Sequence, residues 1–170
     1  DINASAAIDG TKLTGLTEID KWILTVNKTD SSLISANLER AGSTFGLVTL
    51  KGTGMTESSG VFTFPSTGYW MVTANCLFKA KDGDNLGVFI EVTDDNSNWE
   101  TQLVNTWQAN RSGTSSLATT GSSVSEIIKV ENVSLDKVRF SLTSVASESL
   151  LQGDTAYENT TFVFTRLGAL

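Results

Sequence analysis

The chemistry open to this chain is bounded first by two counts: no histidine, and a single cysteine, Cys76, among 170 residues. Without histidine neither a Ser–His nor a Cys–His nucleophilic pair can be built, and the usual general base and commonest transition-metal ligand are missing. Cys76 can form no disulfide within the chain. Among Val72, Ala74 and Phe78 it reads as a buried small hydrophobe, not a reactive thiol.

Carboxylates remain. Asp82 with Asp84, Asp94 with Asp95, and Glu148 with Asp154 invite a calcium reading, since calcium takes about six to eight oxygens. The stretch Asp82-Gly83-Asp84-Asn85-Leu86-Gly87 lacks the downstream glutamate of a complete calcium loop, so these side chains read as solvated turn residues. No metal ligand and no cofactor is assigned. Paired carboxylates could also hydrolyse a glycosidic bond. Every Asp and Glu here falls in a turn or an alternating strand, so no catalytic residue is assigned and the chain is read as non-enzymatic. Trp99 and Trp107 flank polar stretches (94–98 and 110–123) and are the candidates for stacking on a sugar ring; the plainer alternative is that both indoles close the ends of a core. Asn-X-Ser/Thr sequons at Asn3, Asn27, Asn110, Asn132 and Asn159 are what an Asn/Ser/Thr-rich chain produces by chance.

Composition narrows the class. A chain of this length with 39% hydrophobic and 18% charged residues suits one folded domain with a real core. Its apolar runs fall short of the roughly 20 residues of a membrane span, and no signal-peptide pattern opens it. The first residue is Asp1 and not methionine, so a processed product or a piece of something longer is expected. A formal charge of -7 repels phosphate backbones, and no basic patch offsets it, which argues against nucleic acid.

The elements follow from period. Residues 1–20 hold neither helical nor strand period and read as an arm or linker; residues 21–170 read as the domain. Trp22, Leu24 and Val26 alternate with Lys21, Thr25 and Asn27. Residues 31–40 are read as strand or loop, although their apolar spacing would also fit a helix. In residues 60–80, Phe62 and Phe64 share a face and Pro65 ends that strand. Trp70, Val72, Ala74, Cys76 and Phe78 then line a wholly apolar core face. Tyr69, Met71, Thr73, Asn75 and Leu77 make a mixed face that meets solvent or a neighbouring subunit. Leu86, Val88, Ile90 and Val92 form the next core face, and 99–108 another strand. Residues 110–123 are expected to be a long surface loop, with strands at about 124–131, 136–145 and 162–167 and a loop at 147–159. Eight to ten short strands with turns between them and no convincing helix predict an antiparallel two-sheet sandwich.

At GVFTFPSTGYWMV (60–72) the chain resembles the globular head of the complement recognition protein and, more distantly, tumour-necrosis-factor-like jelly rolls; NTTFVFTRLGAL (159–170) resembles that family's last strand. The set LERA, GTGMTESSGVFTFPSTGYW, VTDDNSNW, KVRFS and TFVFTRLG is similar to marine bacteriophage virion proteins with such heads. The leader INASAAIDGTKLTGLT resembles the linkers before distal domains of tail fibres. The resemblance implies an all-β jelly roll preceded by an extended arm, without the long groove of a glycosidase. It also implies a homotrimer. Tyr69, Phe89 and Val163, on the second faces of their strands, are the candidate subunit contacts; the alternative for each is cover by a loop of the same chain. The expected role is the distal head of a virion tail fibre or appendage, exposed on the particle and binding a host surface glycan or protein. The alternative is a capsid decoration or appendage-joining protein that touches only other virion proteins.

Overall fold

The computed structural model describes residues 16–42, 49–81, 84–108, 117–143, 145–146 and 148–170, with the backbone alone at 103–105, 107 and 108. The described residues form twelve strands. They are β1 (Ile19–Leu24), β2 (Leu38–Arg40), β3 (Leu50–Lys51), β4 (Thr56–Ser58), β5 (Val61–Thr63) and β6 (Gly68–Ala80), followed by β7 (Asn85–Thr93), β8 (Glu100–Gln108), β9 (Ala118–Val130), β10 (Lys137–Thr143), β11 (Leu150–Leu151) and β12 (Thr161–Gly168). One sheet has seven strands in the order β11-β6-β12-β1-β2, with β3 on β1 and β9 on β6; the other has five, β4-β5-β10-β7-β8. Every pairing is antiparallel.

Strict period-2 sequence builds the two inner faces. Along β6, Trp70, Val72, Ala74, Cys76, Phe78 and Ala80 are buried while Tyr69 and Met71 face out. Val138, Phe140 and Leu142 of β10 and Leu86, Val88 and Ile90 of β7 answer from the opposite sheet. Phe62 sits at the centre, 5.4 Å from Trp22, 5.8 Å from Phe140 and 4.8 Å from Phe164 between ring centroids. Truncating such a buried phenyl to alanine costs about 3–5 kcal/mol. Gly68 opens β6 at φ +139°, where a Cβ would lie 2.3 Å from the Gly168 carbonyl oxygen, so only glycine fits.

Several expectations need correction. The described residues form twelve strands where eight to ten were expected, and β11 (Leu150–Leu151), paired with β6, interrupts the loop expected at 147–159. The Ser/Thr-rich stretch 110–123 is not loop throughout: β9 begins at Ala118 and pairs with β6 from Ala80 back to Gly68. Thr119, Gly121, Ser123 and Ser125 face solvent from an edge strand, so the segment folds as a strand without an apolar signature. Val26 does not continue the face of Trp22 and Leu24: β1 ends at Leu24, and Val26 is 52% exposed. Ile23, on the other face, is buried where the segment 153–158 comes back over it, tied by Asp154 N–H to Leu24 O (2.9 Å) and by Lys21 Nζ to Glu158 Oε2 (2.6 Å).

Candidate functional site

Four of the acidic residues singled out in the sequence are occupied by partners within the chain, Asp95 and Asp154 in their own loops and Asp84 and Glu148 by distant segments. Asp95 Oδ1 accepts from the N–H groups of Ser97 (2.8 Å) and Asn98 (2.7 Å) and from Thr93 Oγ1 (3.0 Å), and its Oδ2 from Asn98 Nδ2 (2.6 Å). Those donors, the Asn98 and Ser97 amides foremost, hold its pKa down at about 2. Asp84 Oδ2 accepts from Ala146 N–H at 3.1 Å. Glu148 pairs with Lys81, and Asp154 Oδ1 accepts from the N–H of Ala156 at 2.7 Å. Asp82 lies outside the described residues. Among the described residues no three His, Cys, Asp or Glu side chains converge as a metal site. The Cys76 thiol is buried, and desolvation pushes its pKa up to about 12, so it stays protonated.

A cleft of about 460 Å³ opens between the edges of the two sheets, with Val92 and Ile128 among its lining and Asp94, Glu100 and Glu126 supplying carboxylates. Its remaining acids are spoken for: Glu131 pairs with Lys129 at 2.7 Å, and Asp136 Oδ2 accepts from the N–H groups of Glu131 (2.6 Å) and Asn132 (2.8 Å).

Trp99 is half-buried, and neither end of the core holds it. The Arg139 guanidinium lies over its ring at 4.1 Å, held by a bond from Nε to Glu91 Oε2 at 3.0 Å, and Ser141 Oγ donates to the same oxygen. One face of the indole is therefore already covered by a cation. The backbone of Trp107 pairs with Leu86; its side chain lies outside the described residues.

The subunit-contact candidates divide. Tyr69, 42% exposed, and Val163, half-buried, lie on the outer face of the seven-stranded sheet. Phe89 is half-buried on the opposite exterior, paired with Ser141 of β10. Tyr69 has company that the sequence reading left unassigned to contact: Met71 (37% exposed) is paired directly with Ile127 (59% exposed), and Leu167 nearby is 45% exposed. Alternation counted forward from buried Val124 would have put Ile127 outside and Ile128 inside, the signal that the run Glu126-Ile127-Ile128-Lys129 concealed.

A buried polar cluster also went unread. Asp20, 1% exposed, accepts from Arg40 Nε (2.8 Å), Arg40 Nη2 (3.1 Å), Trp22 Nε1 (2.9 Å) and Met55 N–H (2.7 Å). Arg40 also donates from Nη2 to Met55 O at 2.9 Å and lies 4.8 Å from the Trp22 ring centroid. Hydrogen bonding to Asp20 raises the Arg40 pKa. Closed on itself at the β1–β2 end of the sheet, this cluster is a structural clamp and not a site open to substrate.

This arrangement of two antiparallel sheets is a tumour-necrosis-factor-like jelly roll. Over 88% of the chain it is similar to murine APRIL, at 11% identity and TM-score 0.64, covering 98% of that chain. Over 89% it is similar to the Eiger TNF of S. frugiperda, at 13% identity and TM-score 0.66, covering 93% of that chain. No family model matches the sequence, and no curated protein does.

Proposed function

We propose that this chain is a non-enzymatic, self-associating head, trimeric in solution, that tips a phage tail fibre or related virion appendage and attaches it to the host surface. The observation that carries self-association is the apolar group formed by Tyr69, Met71 and Ile127, set in register on adjacent strands of an outer sheet face. Exposed aromatic, Met and Ile side chains gathered on one face are what subunit interfaces bury. The phage assignment is supported by the sequence likeness of VTDDNSNW, TFVFTRLG and the leader at 2–17 to virion proteins. Three copies of a weak site per head, and several heads per particle, give avidity without a strong single contact.

The test begins with mass in solution by light scattering. Three times the 18.2 kDa chain is expected, and Ile127→Asp should return the mass of a single chain while leaving the β-sheet circular dichroism intact. A wild-type mass of one chain at micromolar concentration would refute self-association. Purified head should then compete with whole particles for adsorption to host cells. If the chain is found in particles but never blocks adsorption, it is a decoration protein instead.

A further inference from the structure

Exposed apolar side chains crowd the end of the seven-stranded sheet where β6 begins. The register sets Ile19, Thr165, Met71 and Ile127 side by side across β1, β12, β6 and β9, all on the outer face. Tyr69 and Leu167, both exposed, extend this row at the same end of the sheet.

The chain enters the sheet beside that row. Arg166 donates from its backbone N–H to Glu18 O at 3.0 Å and from Nη1 to Thr17 Oγ1 at 3.4 Å. Its Nη2 donates to Thr67 O at 2.9 Å. One guanidinium thereby ties the approach to β1 to the residue just before Gly68 and Tyr69. Leu16, the first described residue, adjoins this tie and is 45% exposed. Traced backwards, β1 runs off the end of the sheet here.

The residues before Leu16, DINASAAIDGTKLTG, lie outside the described residues. They carry Ile2, Ile8 and Leu13 among Ala4, Ala6 and Ala7, and no helical or strand period gathers these on one face. Apolar side chains with no face of their own leave water only against another surface. The apolar surface at the point where this segment joins the sheet is the row from Leu167 to Ile127.

Reach decides whose row it covers. Neighbouring strands lie about 4.8 Å apart, so the row is about 15 Å across. These 15 residues span up to about 50 Å when extended. To lie on the row of its own chain the segment must double back at once over Arg166. Continued outwards, it meets the same row on a neighbouring copy.

We propose that the segment before Leu16 is a strap between copies, laying Ile8 and Leu13 on the Tyr69–Met71–Ile127 face of the next chain. Strap and face are different surfaces, so the contact is head-to-tail and closes as a ring, which three copies satisfy. The inference rests on self-association through this face and names the part of the second copy that covers it.

The test uses whole 170-residue chains, one with Ile8→Cys and one with Ile127→Cys, refolded together from denaturant. Cys76 is buried and does not compete for the reagent. A short bis-maleimide should join position 8 of one chain to position 127 of the other, identified by mass spectrometry of the linked peptides. The double variant Ile8→Cys with Ile127→Cys should likewise give species larger than one chain on a denaturing gel. Separately, Ile8→Ser with Leu13→Ser should raise the concentration at which the assembly dissociates at least tenfold, the effect of one aliphatic side chain leaving an apolar contact. Its β-sheet circular dichroism should not change. A link confined within single chains overturns the proposal, because the segment then covers its own face. Absence of any 8–127 link, or unchanged dissociation of the serine variant, overturns it as well. The two readings fail distinguishably: a trimeric wild type without that link sinks only the strap, whereas a wild type with the mass of one chain sinks self-association and the strap with it.

Discussion

Removing the Asp20 carboxylate should be among the most destabilising single changes available outside the aromatic core. Asp20→Ala strands the indole N–H of Trp22 and the amide of Met55, both in buried residues, and deprives Arg40 of two bonds. Each buried neutral donor left unpaired costs about 1–3 kcal/mol. The Arg40 side chain is 36% exposed and can turn to water, so its share is small. The expected loss is therefore about 3–5 kcal/mol, in the range for breaking a buried ion pair from one side. For a chain of this size that is a fall in Tm of roughly 10–15 °C. Asp20→Asn keeps one acceptor oxygen and should lose about half as much. Arg40→Met tests the other side: it leaves a carboxylate in a residue 1% exposed with two neutral donors, and should cost about 3 kcal/mol or more. Urea unfolding at one fixed protein concentration is the assay, because self-association makes the midpoint depend on concentration. A loss under about 1 kcal/mol for Asp20→Ala, with unchanged m-value, would refute the clamp and mean that Arg40 and Trp22 find water or other partners.

Four further outcomes can be checked. The Cys76 thiol, held protonated up to about 12 by burial, should ignore a disulfide reagent at pH 8 and react at once in denaturant; fast labelling of the native protein would refute its burial. The same shift has a sign for stability: the contribution is full below the ordinary thiol range and is lost as pH rises towards the folded value, so the fall of stability with pH over that alkaline window should flatten in Cys76→Ala. Asp95, held at about 2, stabilises the 93–98 turn above the ordinary carboxylate range and loses that role as pH falls from about 4 towards 2. The protection of the Ser97 and Asn98 amides relative to their intrinsic exchange rates should fall over that window, and a flat protection profile would show that the turn does not depend on the charge. Gly68→Ala forces a Cβ within 2.3 Å of a carbonyl at φ +139° and should cost about 2–3 kcal/mol by thermal melting; a neutral result would mean the β6–β12 register shifts freely.

The core was legible because it repeats a short rule. In β6 and β10 each buried residue is announced by its neighbour two places away, so the face of Trp70 through Phe78 could be assigned without knowing what lay across from it. Asp20 obeys no such rule. Its partners are 20 and 35 residues away, at Arg40 and Met55, and before the sheet aligns them it is one more acid in a polar leader. Trp99 shows the same limit from another side. Its type suggested a sugar platform, but the β7–β10 register sets Arg139 opposite Glu91 and so delivers the guanidinium to the indole. The Ser/Thr run before Val124 hid a strand because an edge strand with hydroxyls on its outer face needs no apolar period to pair.

Function-bearing features of this fold are therefore to be sought where the alternation rule is silent, on the outer faces, and there the informative residues are those that the sheet itself does not require. Met71 and Ile127 are apolar where solvent would accept Thr or Lys, as it does at Thr73 and Lys129 on the same two strands. Gly121 is glycine where the backbone would accept Ser, as it does at Ser123. Glu158 spends one oxygen on Lys21, whose largely buried charge it neutralises, and keeps the other buried without a partner among the described residues. Each departure carries a cost to the isolated chain, in exposed apolar surface, in strand entropy or in desolvation. The first cost disappears when a second copy covers the face.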